Sequence, residues 1–175
     1  LAQAHAAGGD RARALSTLEL AVRHTSGGST EASEIEKLRG LIDYFSRDFR
    51  GAAAHFEAAI DHARAGDVSY EIATNLHNLG DALVRLGEFA DAFGALQQSS
   101  ALCDDLGYER LGNLNRMSVA YLDGLVGNKD AERLLRQGIA YAERHEFTWD
   151  AISARLLLAQ LLLKRRRLDE GRREL

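Results

Sequence analysis

The sequence contains no proline, one cysteine, one tryptophan and one methionine, and few aromatic residues of any kind. A lone cysteine, Cys103, excludes any disulfide within the chain and fits a reducing compartment. Lying late in a helical pattern among apolar neighbours, it reads as a small core residue. Long hydrophobic runs are missing too. No stretch approaches the roughly 20 apolar residues that span a bilayer, and the opening residues are not expected to act as a secretory signal. An excess of positive charge is likewise absent. Lys plus Arg number 22 against 26 Asp plus Glu, for a net charge of −4. No overall field attracts nucleic acid or an anionic membrane, and neither is expected as a partner. The basic run from Lys164 to Arg167 is expected to be a solvated helix end.

What the chain has is alanine and leucine, with 46% hydrophobic residues, in a length of 175 that suits one domain with a substantial core. These residues lose little rotamer freedom in a helix, so the reading is all-α. Helices are expected near 30–46, 48–65, 68–86, 88–105, 108–124, 128–145 and 148–165, with incomplete ones at both ends. Asp67 and Thr148 are candidate N-caps, and Gly107 a left-handed helix terminus. Ser33 with Glu36 could form a capping box, although a start at Ser29 or Thr30 is favoured.

The pattern repeats. A small residue followed four positions later by a larger one recurs as Ala14/Leu18, Ala52/Phe56, Ala92/Leu96, Ala131/Leu135 and Gly171/Leu175, at intervals of 38, 40, 39 and 40 residues. A second register agrees with it: the stripe Leu76, Leu79, Leu83 and Leu86 matches Ile35, Leu38, Ile42 and Phe45 upstream. Downstream, it matches Leu114, Met117 and Tyr121, and then Leu158 and Leu162. Small residues let antiparallel helices approach, and Gly80, costly inside a helix, must be justified by packing.

Leu79-Gly80-x-x-Leu83, Gly87-x-Phe89 and Ala92-x-x-x-Leu96 resemble the tetratricopeptide repeat (TPR) family, and Ala52-x-x-x-Phe56 matches its second half. The spacing near 40 is longer than the usual 34, the closing proline is missing, and Leu76 and Leu114 replace the expected Trp. Such long repeats are similar to those of polarity scaffolds, kinesin light chains and bacterial signalling or transcription regulators. The resemblance implies a right-handed superhelical solenoid of antiparallel helix-turn-helix units, with a partial repeat over 1–24 and full repeats near 29–66, 67–106 and 107–146. A truncated repeat follows over 147–175, and the whole is expected to be a piece of a larger protein with further repeats or a partner covering its last helix.

The resemblance also implies a concave groove lined by the first helix of each unit, and from the register Lys37, Tyr44, His77, Asn78, Asp81, Arg85, Asn115 and Arg116 are expected to face it. Leu157 and its neighbours add apolar contact. Asn78 is placed to bond a peptide backbone and Arg116 to grip a carboxylate, although Glu36, Gly40 and Gly112 depart from a carboxylate clamp. The implied function is a cytoplasmic, non-enzymatic scaffold for a protein or peptide partner, without cofactor or metal. Two alternatives stand beside it: an effector-sensing or intramolecular regulatory domain of a bacterial regulator, and a spacer that self-associates through its terminal repeats. His55 and His62 read as a surface pair rather than metal ligands, and no phosphate loop or nucleophile set is present.

Overall fold

The computed structural model describes residues 2–25 and 27–175. They form ten helices, with no strand among them. Two compact units divide the chain, residues 1–102 and 103–175. The first holds α1 (Ala2–Ala7), α2 (Arg11–Val22), α3 (Ser29–Phe45), α4 (Phe49–Ala65), α5 (Ser69–Leu86) and most of α6 (Phe89–Leu106). The second holds the end of α6 with α7 (Glu109–Leu125), α8 (Ala131–Arg144), α9 (Thr148–Lys164) and α10 (Leu168–Arg173).

Consecutive helices pair as the repeat requires. Ala14, Ala52, Ala92 and Ala131 are fully buried, and the larger residues four positions on are buried with them. Gly80 is the seat of Leu96: a Cβ there would lie 2.6 Å from the Leu96 Cγ. Gly40 stands in the same relation to Phe56, again at 2.6 Å, so it belongs to the hairpin interface and not to an open groove. In unit 2, Gly124 on α7 seats Leu161 of α9, a contact between hairpins, at 2.8 Å. Glycine's helix cost, about 1 kcal/mol, is offset by this close approach.

The turns share one device. At Gly9, Arg47, Asp67, Gly87, Gly107, Gly127, Glu146 and Arg166 the backbone is left-handed. The N–H of the residue after each bonds the carbonyl five residues before it, as in Glu88 to Leu83 at 3.0 Å. This Schellman closure satisfies the orphan carbonyls at the helix end. Gly107 takes the role expected of it, but Asp67 does not. It is the left-handed residue of its turn, and Val68 occupies the N-cap of α5. Phe147 caps α9, leaving Thr148 as its first helical residue. True side-chain caps occur at Asp10 and Asp48, which accept from the N–H groups of Arg13 and Gly51. Helix α3 starts at Ser29, with the Glu31 carboxylate accepting from the Gly27 N–H at 2.7 Å. Ser33 is instead fully buried and donates to the Ala59 carbonyl. Helix α8 begins later than expected because the Asn128 side chain folds residues 128–130 into a turn, accepting from the Asp130 N–H at 2.9 Å.

Candidate functional site: the α3/α5 face of unit 1

Three residues, one each from α3, α4 and α5, meet in unit 1. Tyr44 near the end of α3 places its hydroxyl 3.4 Å from the Arg85 Nε on α5. Phe49, opening α4, packs edge-on against the Tyr44 ring at 5.5 Å and lies under the Arg85 guanidinium at 6.0 Å. The planar guanidinium suits such an aromatic face. One turn earlier on α5, His77 lies 3.8 Å from Asp81. Burial, aided by the nearby Asp81 charge, pushes the Tyr44 phenol above its ordinary value despite the opposing Arg85. Tyr44 is therefore a neutral hydroxyl at physiological pH. Asn78 is half-buried on the same helix, between His77 and Leu79.

Helical periodicity explains why these side chains share a surface. On α5 the buried stripe Leu76, Leu79 and Leu83 occupies one side, and positions 78, 81 and 85 fall on the opposite side. The sequence named Tyr44, His77, Asp81 and Arg85 but not Phe49. Its proximity to Tyr44 across a turn was the available signal.

Other expected groove residues are placed differently. Asn115 is fully buried in unit 2, with its amide 3.7 Å from the Cys103 sulfur, so it does not face a groove. Helix α7 is buried around much of its circumference, including Leu111, Met117, Ser118 and Leu122, and a register taken from the more open α5 misplaces its polar residues. Lys37 is also engaged. It bonds Glu34 on its own helix and reaches Glu71 on α5 at 2.9 Å, tying the two helices together. Burial would depress its ammonium, but the hydrogen bonds and charges of Glu34 and Glu71 outweigh that and raise its pKa. The packing pairs put 40 residues between successive repeats at this point (Gly40 and Gly80, Phe56 and Leu96), so Lys37 corresponds to His77 and not to Asn78. Arg116 is largely exposed in unit 2, 3.5 Å from Asp104.

His55 also has a structural place. It bonds Glu36 at 2.6 Å and faces Asp43 at 3.5 Å, while Arg11 reaches Asp43 at 3.0 Å, joining α2, α3 and α4. His62 is exposed. Among the described residues no group of three or more His, Cys, Asp and Glu side chains is arranged to hold a metal ion, and no helix is long and apolar enough to cross a membrane. The basic run after α9 is partly absorbed by the fold. Arg165 donates to the Asn128 carbonyl at 2.8 Å, and Arg167 pairs with Glu132 and Glu170.

No family model matches the sequence, and no curated protein does. Solved structures do. A crystal structure of a Podosopora anserina putative kinesin light chain with nearly identical TPR-like repeats aligns with a TM-score of 0.66 at 14% identity, covering 99% of this chain and 88% of that one. A point variant of the same protein aligns with a TM-score of 0.67 at 16% identity, over 99% and 87% of the two chains. The fold is a TPR-like helical repeat. At these identities the likeness establishes the TPR-like architecture alone, and what the chain does has to be argued from its residues.

Proposed function

We propose that this TPR-like chain is a protein-interaction module that lays a partner's extended peptide across the α3/α5 face of unit 1. The observation that carries the reading is the assembly of Tyr44, Phe49, Asp81 and Arg85 on one surface, with the packing leucines of α5 turned away from it. The chemistry suits a peptide. Asn78 offers a donor and an acceptor together, which matches a backbone amide. Arg85, braced on Phe49, presents a planar fork to a carbonyl or carboxylate. Asp81 disfavours an acidic residue beside it and favours a cation or hydroxyl. The reading assigns binding rather than catalysis, places the module in the cytoplasm, and keeps Arg116 as a separate candidate contact in unit 2.

Selection of a random-peptide phage library on the immobilised chain tests it. Phage recovered on the parent chain should fail to be retained by an Asn78→Ala/Arg85→Ala double variant whose circular dichroism is unchanged. Equal retention on the double variant would remove this face from the account.

A further inference from the structure

A groove of about 610 Å³ runs between α4 and α6 in unit 1, on the side of α5 opposite Asp81 and Arg85. Edges of Ile60, Leu76, Leu79 and Leu83 form its floor. Its walls are acidic, with Glu57 and Asp61 on α4 facing Glu88 and Asp91 at the start of α6. Arg64, the one cation lining it among the described residues, is drawn to Asp61 at 3.5 Å, and Arg50 reaches Glu88 at 3.3 Å. Glu57 and Asp91 make no salt bridge among the described residues.

Gly94 lies in this groove on α6. Every other helix-interior glycine of the chain sits against a neighbour that a Cβ would press on: Gly40 on Phe56, Gly80 on Leu96, Gly124 on Leu161, Gly138 on Met117. The same holds for Gly51, Gly112 and Gly171. A Cβ on Gly94 would meet nothing within 4 Å. Glycine in mid-helix weakens the helix, so its presence calls for a close approach of something to the backbone. None of the described residues supplies it. Ala90, one turn earlier in the same groove, extends the low ridge.

We infer that this groove is a second docking surface, and that its occupant is a basic amphipathic helix of a partner protein. A helix fits because the site is a trough between α4 and α6, with Ala90 and Gly94 keeping the α6 wall low, the geometry in which helices nest. Its apolar stripe packs on Gly94, Ala90 and the leucine edges. Its lysines or arginines flank that stripe and meet Glu57, Asp61, Glu88 and Asp91. An acidic helix is repelled by the same walls. The surface is distinct from the Tyr44–Arg85 face and stands whether or not a peptide binds there.

The test uses the full chain and a fluorescein-labelled Lys/Leu/Ala amphipathic peptide of about 16 residues, beside a counterpart with every Lys replaced by Glu. Fluorescence anisotropy should show binding of the basic peptide and none of the acidic one. Gly94→Leu should abolish that binding, and Glu57→Lys with Asp91→Lys should weaken it about tenfold, with helicity unchanged. Gly94→Ala should raise the melting temperature by about 2–4 °C while weakening the basic peptide. That opposition separates a docking role from a folding role. The inference is overturned if the basic peptide does not bind, if Gly94→Leu binds it as well as the parent chain does, or if the acidic peptide binds equally. It is also overturned if Gly94→Ala lowers the melting temperature. A concentration-dependent rise in mass by light scattering that Gly94→Leu removes would assign the groove to a second copy of the chain and overturn it too.

Discussion

The Ser99 hydroxyl of α6 donates to the Ala73 carbonyl of α5 at 2.7 Å. Forty residues earlier the same tie is made in reverse: Ser33 of α3 donates to the Ala59 carbonyl of α4 at 2.9 Å. The two pairs occupy equivalent places in successive hairpins, with donor and acceptor exchanged between helices. Both serines are fully buried, so each bond is made away from water. Ser33→Ala and Ser99→Ala should each cost about 1 kcal/mol, read from urea unfolding. Unchanged stability would mean that the serines only fill space.

The seating glycines predict losses where helix propensity alone predicts gains. At Gly80 an added methyl meets Leu96, and at Gly124 it meets both Leu161 and the Ala131 Cβ at 2.9 Å. Overpacking of this kind costs about 1–3 kcal/mol, against about 1 kcal/mol returned by alanine's propensity. Gly80→Ala and Gly124→Ala should therefore have lower urea midpoints than the parent, with Gly124→Ala the worse because Ala131 has no rotamer to yield. A gain in either would show that the helices move apart cheaply.

The left-handed turn residues predict the opposite sign. Glu146 and Arg166 hold φ of 59° and 60°, where a Cβ is unfavourable. Glu146→Gly and Arg166→Gly should each raise stability by up to about 1 kcal/mol, and Gly107→Ala should lower it by a similar amount. Thermal melts of the three variants give the comparison, and a destabilised Glu146→Gly would contradict it.

At alkaline pH two groups act together. Lys37 and Tyr44 both have pKa values raised in the folded chain. The fold thus holds protons that the unfolded chain releases near its ordinary values of about 10. Stability from both is fully present below that pH and declines as pH rises through the folded values. Lys37→Met and Tyr44→Phe should each flatten the fall in urea midpoint between about pH 9 and 11. Parallel curves for parent and variants would remove both groups from the account.

The repeat was legible because its packing residues are chemically distinctive: Ala52, Ala92 and Ala131 recur at near-constant spacing with a large residue four positions on. The turn register was only partly visible. Gly87, Gly107 and Gly127 mark it at 20-residue steps, but Arg47, Asp67, Glu146 and Arg166 hold the same geometry without glycine, and nothing in their chemistry announces it. Site residues were harder to read, because a face is assigned by a register that shifts between repeats. A one-residue difference separates Lys37, locked between Glu34 and Glu71, from the position equivalent to Asn78. Asn115 was misplaced for another reason: burial around α7 is a tertiary property that the α5 pattern does not contain. Gly94 stood in plain view in the sequence. Its lack of any neighbour is a fact only of the structure.

The most direct test of the proposed peptide-binding face is calorimetric titration of one peptide from the phage selection into the parent chain, Arg85→Ala and Gly94→Leu. The account predicts that Arg85→Ala weakens binding by about tenfold or more, about 1.4 kcal/mol, while Gly94→Leu binds as the parent does. Undiminished affinity in Arg85→Ala, or loss of the same peptide in Gly94→Leu, would contradict it.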